Sequence, residues 1–200
     1  MEATRILARN VVVGVPLMRR WLTLLAMLGL FGSSAIPSVA GTVQQGDPQV
    51  GQMAPAFRLQ DQNGHWRSPA DYHGHWLVVY FYPKDFAPGC TTDICSFRDE
   101  IAKLRQAGAD VVGVSQDSAK SHAEFAAKYH VPFPLLSDTN HQIAIQYGVL
   151  TSAVGLHFAK RTTFLIDPSG KIAKIYRNID PKGHAARVLG DLTTMKKATA

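Results

Sequence analysis

Two cysteines, Cys90 and Cys95, are the residues of this sequence best placed to do chemistry. They lie in the run Tyr82-Pro83-Lys84-Asp85-Phe86-Ala87-Pro88-Gly89-Cys90-Thr91-Thr92-Asp93-Ile94-Cys95. From Pro88-Gly89 onward, Ile94, Phe97, Ile101 and Leu104 recur at three and four, which predicts a helix from about Cys90 to Gln106. Cys90 would then sit at a helix N-terminus. Free backbone N–H groups and the positive end of the helix dipole stabilise an anion there. A thiolate is such an anion, so the Cys90 pKa is expected to be lowered. The thiolate is also the form that reacts with peroxides and disulfides. Cys95 follows five residues on. In a regular helix this spacing separates the two Cα atoms by roughly 8.6 Å, on nearly opposite faces. A disulfide needs less than about 7 Å. The pair can join only if the first turns unwind, which is the behaviour of a redox switch and not of a staple. Spacing alone leaves a second reading open, two buried and inert cysteines.

The elements that must position this pair are legible in outline. Ala56–Leu59 alternates and predicts a short strand, and Asp61–Gly64 a turn, with His65–Arg67 returning as a hairpin partner. Trp76–Tyr82 is a continuous apolar, β-rich run, as in a strand covered on both faces. Asp110–Ser115 predicts a second such strand, Ser118–Tyr129 a helix capped by Ser118 or Ser121, and Leu135-Leu136 a short strand. His141–Tyr147 predicts a short helix. Thr162–Ile166 and Ile172–Tyr176 flank Asp167-Pro168-Ser169-Gly170 as a hairpin. Gly183–Lys197 predicts the last helix. Strands alternating with helices, then a hairpin and a helix, imply an α/β sandwich with a mixed sheet.

The chain has 200 residues, 46% hydrophobic and 18% charged, which excludes a disordered tail. Two cysteines exclude a disulfide-rich scaffold and a four-cysteine zinc site. Residues 1–40 read as an N-terminal extension and signal peptide. Arg19 and Arg20 precede an apolar run from Trp21 to Phe31, and small residues at Ser38 and Ala40 predict cleavage after Ala40. The run is about eleven residues, short of the roughly twenty that span a bilayer, so no stable membrane span is expected in the mature form. Met18 is an alternative start, and the Arg pair leaves Sec and twin-arginine export both open. Export would place the protein in the periplasm or another oxidising compartment. Residues 41–50 read as a linker and 51–200 as the domain. Beyond residue 40 there are 17 basic and 14 acidic residues with no basic run, which gives no reason to expect nucleic-acid binding. The eight histidines show no metal-ligand spacing and are expected to be solvated loop residues. Lys160 is expected at the surface. Trp66, Trp76 and Tyr80–Tyr82 are expected in the core.

The cysteine segment resembles the active-site region of the peroxiredoxins, and most of all the peroxiredoxin Q (bacterioferritin comigratory protein) type. The likeness runs through nearly all of Val50–Leu192. It includes Gly51-Gln52-Met53-Ala54-Pro55-Ala56-Phe57 and Arg161-Thr162-Thr163-Phe164-Leu165-Ile166-Asp167. The family signature is Pro, three residues, Thr, two residues, Cys, which here falls on Pro83, position 87 and Cys90. The resemblance implies a thioredoxin-like three-layer sandwich with helices on both faces of the sheet. It implies reduction of hydrogen peroxide or organic hydroperoxides, with a peroxide as substrate. Cys90 would be the peroxidatic cysteine and Cys95 the resolving one, condensing to an intramolecular disulfide that a thioredoxin-like or other dithiol reduces. Arg161 would hold the thiolate and orient the peroxide, and Pro83 would shield the pocket. No metal, haem or flavin is implied, and a monomer is expected. Position 87 departs from the pattern, with Ala where the family carries Thr or Ser. Losing one oriented donor typically costs about 10²–10³ in rate. Thr91, Thr92 or a water are the candidates to replace it. Two rivals share the fold. A thiol–disulfide oxidoreductase would want Cys-x-x-Cys at the helix start, where this chain has four intervening residues. A redox-sensing binding protein would use the unwinding itself as its signal.

Overall fold

The computed structural model describes residues 47–199. The signal segment read from residues 1–40 lies outside them. In chain order the elements are β1 (Leu59–Asp61), β2 (Trp66–Arg67), β3 (Trp76–Phe81), α1 (Pro88–Gln106), β4 (Ala109–Ser115), α2 (Ala119–Tyr129) and β5 (Leu135–Ser137). Then follow α3 (Gln142–Gln146), β6 (Leu150–Ala153), β7 (Leu156–Ala159), β8 (Thr162–Ile166), β9 (Ile172–Arg177) and α4 (His184–Thr199).

Seven strands form one sheet in the order β2-β1-β5-β4-β3-β8-β9. β3, β4 and β5 run parallel, while β8 and β9 add antiparallel at one side and β1 at the other. Every residue of β3 is buried, which is why its sequence is a continuous apolar run without alternation. Its side chains still divide by face. Trp76, Val78, Tyr80 and the following Tyr82 join a core with Ile94, Phe97 and Leu104 of α1, Phe125 of α2 and Val188 of α4. Leu77, Val79 and Phe81 join a second core with Phe57, Ile143 of α3, Tyr147 and Phe164. The sheet is covered on both sides, by three helices on one face and by α3 with the N-terminal segment on the other. This is the mixed α/β sandwich expected from the sequence.

Several local expectations need correction. The first strand begins at Leu59, not Ala56, and runs into Asp61. Asp61 is buried and accepts from the Asn63 and His65 N–H groups and from Arg67 Nε, so a residue read as turn closes the strand. Trp66 is 53% exposed, with the Arg58 guanidinium 4.4 Å from its ring centroid; it lies on the outermost strand and belongs to no core. Asp47 and Pro48, within the segment read as a linker, already contact the domain. Pro48 is buried, and Arg177 Nη2 lies 2.6 Å from Asp47 Oδ1. The β6–β7 hairpin was not expected. Its turn is Val154-Gly155, with φ +51° and +76°, a left-handed pair that a β-branched residue does not announce.

His122 and His184 are buried, against the expectation of solvated histidines. His184 Nε2 hydrogen-bonds Thr163 Oγ1 at 2.9 Å, and its ring meets Phe97 and Tyr176 edge-on. Burial, with Arg187 nearby, pushes its pKa down to about 4. Between 6.5 and 4 the unfolded chain takes up a proton that the folded chain refuses. Stability from this group is therefore full above pH 6.5 and falls by about 3 kcal/mol as the pH drops towards 4. In urea unfolding at pH 7.0 and 4.5, His184→Gln should remove that loss, so that wild type and variant converge or cross at the lower pH. A constant difference between them would contradict it.

Candidate active site

Three elements converge on Cys90. Tyr82 ends the run of β3, Pro83–Ala87 form a loop, and α1 starts at Pro88 with Ala87 as its N-cap. Cys90 falls in the first turn and its side chain is fully buried. A sulfur without water needs other donors. The Lys84 N–H donates to it from the loop, and Arg161 Nη2 lies 3.3 Å away. Arg161 directly precedes β8, and the pairing of Phe81 with Thr162 brings it beside the end of β3. Gly89 is what lets the guanidinium come so close, because a Cβ there would stand 2.7 Å from Nη2. The other guanidinium nitrogen, Nη1, lies 3.5 Å from the Tyr80 hydroxyl and 3.7 Å from Asp93 Oδ2.

The expected lowering of the Cys90 pKa is not what this pocket produces. Burial is the largest influence and pushes the thiol up. The Lys84 N–H and Arg161 pull it down, the Asp93 carboxylate pushes it up again, and the net direction is upward. The helix starts where the sequence places it, while desolvation is a property of the folded pocket that the sequence does not display.

Cys95 lies within the same unbroken helix and is half-buried, and both thiols are free. It faces a groove lined by Thr92, Asp99, Pro181, Lys182 and Ala186. One turn further on, Arg98 Nη1 donates to the Tyr129 carbonyl at 2.9 Å, tying α1 to the end of α2. Pro83 reaches the site through its neighbour Lys84. Its carbonyl accepts from Gln116 Nε2 at 2.6 Å, and it borders a cleft of about 560 Å³ with Gln116, His141, Leu156 and Phe158. Cys90 is not in the lining of that cleft. Lys160 is exposed, as expected.

Ala87 supplies no side-chain cap to α1. Neither neighbouring threonine replaces it: Thr92 Oγ1 donates to the Pro88 carbonyl at 3.1 Å, and Thr91 Oγ1 is buried without a partner.

Two residues of the site were given no chemical role from sequence, Tyr80 and Asp93. Asp93 is fully buried and neither carboxylate oxygen has a hydrogen-bond partner. Burial pushes its pKa up to about 6, with the nearby Tyr80 hydroxyl and then Arg161 pulling it back. The signal was available, since Asp93 shares the apolar face of α1 with Cys90, Ile94 and Phe97, and a carboxylate in a buried stripe is rarely there for packing. Among the described residues, no group of three or more His, Cys, Asp or Glu side chains could hold a metal ion.

This geometry agrees with what the chain resembles. Residues 50–175 match the AhpC/TSA family. Over 153 residues the chain is 39% identical to peroxiredoxin Bcp of Bacillus subtilis, covering 74% of this chain and 98% of that one. It is 39% identical over 165 residues to the chloroplastic peroxiredoxin Q of Oryza sativa subsp. japonica, covering 81% and 76%. Among solved structures, a cysteine-to-serine variant of Xylella fastidiosa PrxQ superposes with a TM-score of 0.72 at 32% identity, covering 76% of this chain and 99% of that one. The chain belongs to the AhpC/TSA family, within its peroxiredoxins of the Bcp/Q kind. It is a thiol-dependent peroxidase with a thioredoxin-like fold.

Asp93 carries a cost in stability. An acid whose pKa rises on folding destabilises the folded state above that pKa, and the penalty fades as the pH falls from about 6 towards 3.8. Asp93→Asn should therefore raise stability at pH 7 by about 1–3 kcal/mol. It should also lower the pH midpoint of Cys90 alkylation by iodoacetamide, measured in a Cys95→Ser background, because one repelling charge is gone. Lower stability at pH 7, or an upward shift of the midpoint, would show that Asp93 acts otherwise.

Proposed function

We propose that Cys90 attacks the peroxide and that Cys95 resolves the product. The observation that carries this reading is the buried Cys90 sulfur, met by the Lys84 N–H and Arg161 Nη2 at the start of α1. The Cys90 thiolate sulfur attacks one oxygen of ROOH. The O–O bond breaks, the sulfur becomes a sulfenic acid, and the other oxygen leaves as ROH after taking up a proton. Arg161 has donors to spare beyond the sulfur and cannot deprotonate, so it can hold the thiolate and the peroxide together. Pro83, at the start of the loop, limits the entry of water.

The Cys95 thiolate then attacks the Cys90 sulfenic sulfur. A disulfide forms and the hydroxyl leaves as water. The two thiols have supplied the two electrons that reduce ROOH to ROH and water. Within an intact α1 the two Cα atoms are roughly 8.6 Å apart, so the first turns of α1 must unwind for this step. A thioredoxin-like or other dithiol then exchanges with the disulfide and restores both thiols. We further propose that the chain is exported, cut after Ala40, and works as a monomer in the periplasm. What supports the export reading is the pattern of residues 19–40. An exported form whose intact mass begins at Gly41 would agree with it, and an exported form retaining residues 1–40 would not.

The peroxidase steps are tested on reduced residues 41–200 with a small excess of hydrogen peroxide, following free thiols and intact mass. Wild type should lose two thiols and two hydrogens. Cys90→Ser should lose none, and Cys95→Ser should stop at sulfenic or higher acids. Ala87→Thr should speed the first step about tenfold or more, by restoring a donor beside the sulfur. Loss of the one remaining thiol in Cys90→Ser at the wild-type rate would reject the assignment of the nucleophile.

A further inference from the structure

Behind the Cys90 loop lies a buried polar cluster that the mechanism above does not use. Asp85, in the loop itself, is 3% exposed, and His122, on α2, is fully buried. Asp85 Oδ1 accepts from the Tyr82 hydroxyl at 2.8 Å. Asp85 Oδ2 accepts from Ser121 Oγ at 2.6 Å and lies 2.9 Å from His122 Nδ1. His122 Nε2 lies 3.2 Å from the Leu136 carbonyl of β5. The Asp85 N–H donates to Asp117 Oδ2 at 2.9 Å, and Ser115 Oγ donates to the same oxygen at 2.7 Å.

We infer that Asp85 and His122 form the latch that positions the Lys84 N–H against the Cys90 sulfur, and that its hydrogen bonds do this work, not its charge. The inference rests on the reading of Cys90 as the peroxidatic residue. The loop does not hold its shape by local preference. Phe86 has φ +60°, in the left-handed region that an aromatic residue rarely adopts. A backbone in that region persists only when its surroundings hold it. Here the Phe86 ring rests edge-on against Phe125, 5.0 Å between centroids, and Asp85 is fixed by the cluster on its other side. Lys84 and Asp85 are adjacent in the chain, so a movement of Asp85 reaches, through the Lys84 Cα, the Pro83–Lys84 peptide whose N–H meets the sulfur and whose carbonyl Gln116 holds at the other end. Asp85 and His122 are therefore positioning residues.

The hydrogen-bond geometry permits a test that separates bonding from charge. Carboxylate and carbonyl oxygens only accept, and the two ring nitrogens of His122 face one of each. Asparagine at position 85 would keep every contact without a carboxylate charge. Its carbonyl would accept from the Tyr82 hydroxyl, and its amide would donate to His122 Nδ1 and to Ser121 Oγ. His122 Nε2 would still donate to the Leu136 carbonyl.

The experiment uses the peroxide oxidation rate of Cys90 and the pH midpoint of its alkylation by iodoacetamide, both in a Cys95→Ser background. Asp85→Ala and His122→Ala should slow oxidation about tenfold or more and raise the alkylation midpoint by about one pH unit, through loss of the Lys84 N–H bond. Asp85→Asn should stay within about threefold of wild type on the first measure and leave the second unchanged. Ser121→Ala, which removes a single donor, should move both measures part of the way. It keeps the test open where an alanine variant at 85 or 122 fails to fold. Alanine variants that match wild type on both measures would overturn the latch, as would an Asp85→Asn variant as impaired as Asp85→Ala. Alkylation does not involve peroxide. Should wild type ignore peroxide while the alkylation midpoints shift as stated, the peroxidase reading falls and the latch stands.

Discussion

A sulfur atom with no contact to solvent must find in the protein what water would have given it. At Cys90 that requirement organises the surroundings. A backbone N–H comes from the loop, a guanidinium from the residue ahead of β8, and Tyr80 reaches the same guanidinium from β3. The loop runs directly into α1, so its N–H is a sequence neighbour; the guanidinium is not. Arg161 is 71 residues away in the chain. It arrives because β3 and β8 pair antiparallel in a register that ends one residue short of it. The central sheet is therefore the ruler of the site, and its continuous apolar strands are the reason the ruler is stiff.

The balance at the sulfur is between burial, which favours the neutral thiol, and two donors, which favour the thiolate. Asp93 tilts it further towards the neutral form and is itself held partly neutral by burial. Of these two shifts only that of Asp93 costs stability at neutral pH, because the Cys90 thiol is neutral there whether the chain is folded or not. His184, on the same face of the sheet, also resists ionisation, but for packing. It fills a gap between Phe97 and Tyr176 as a neutral ring. Asp93 and His184 respond to acid with opposite sign, so between about pH 6 and 4 their contributions partly cancel.

What was legible in the sequence follows from how local each signal is. Cys90 and Cys95 on one helix, the buried β3 and β4, and the β8–β9 hairpin with its Asp-Pro-Ser-Gly turn were all carried by contiguous patterns. Arg161 and Pro83 were reached only through the family resemblance, since nothing in their own surroundings marks them. The direction of the Cys90 pKa is not legible in the sequence, because the helix start is written locally whereas burial is a sum over α1, β3 and β8. The His122–Asp85 contact joins residues 37 apart, and a histidine on a helix face does not reveal whether that face is buried. The β6–β7 hairpin escaped because its exposed strands lack alternation and its turn begins with valine.

The hydrogen bond from Arg98 to the Tyr129 carbonyl gives α1 an internal boundary. Beyond it, Ile101 and Leu104 are sealed into the core shared with α4. Ahead of it lie both cysteines, an uncapped N-terminus and a loop with a left-handed phenylalanine. The first turn of this continuous helix is therefore expected to open more readily than the rest, and its amide hydrogens to exchange ahead of those beyond Arg98.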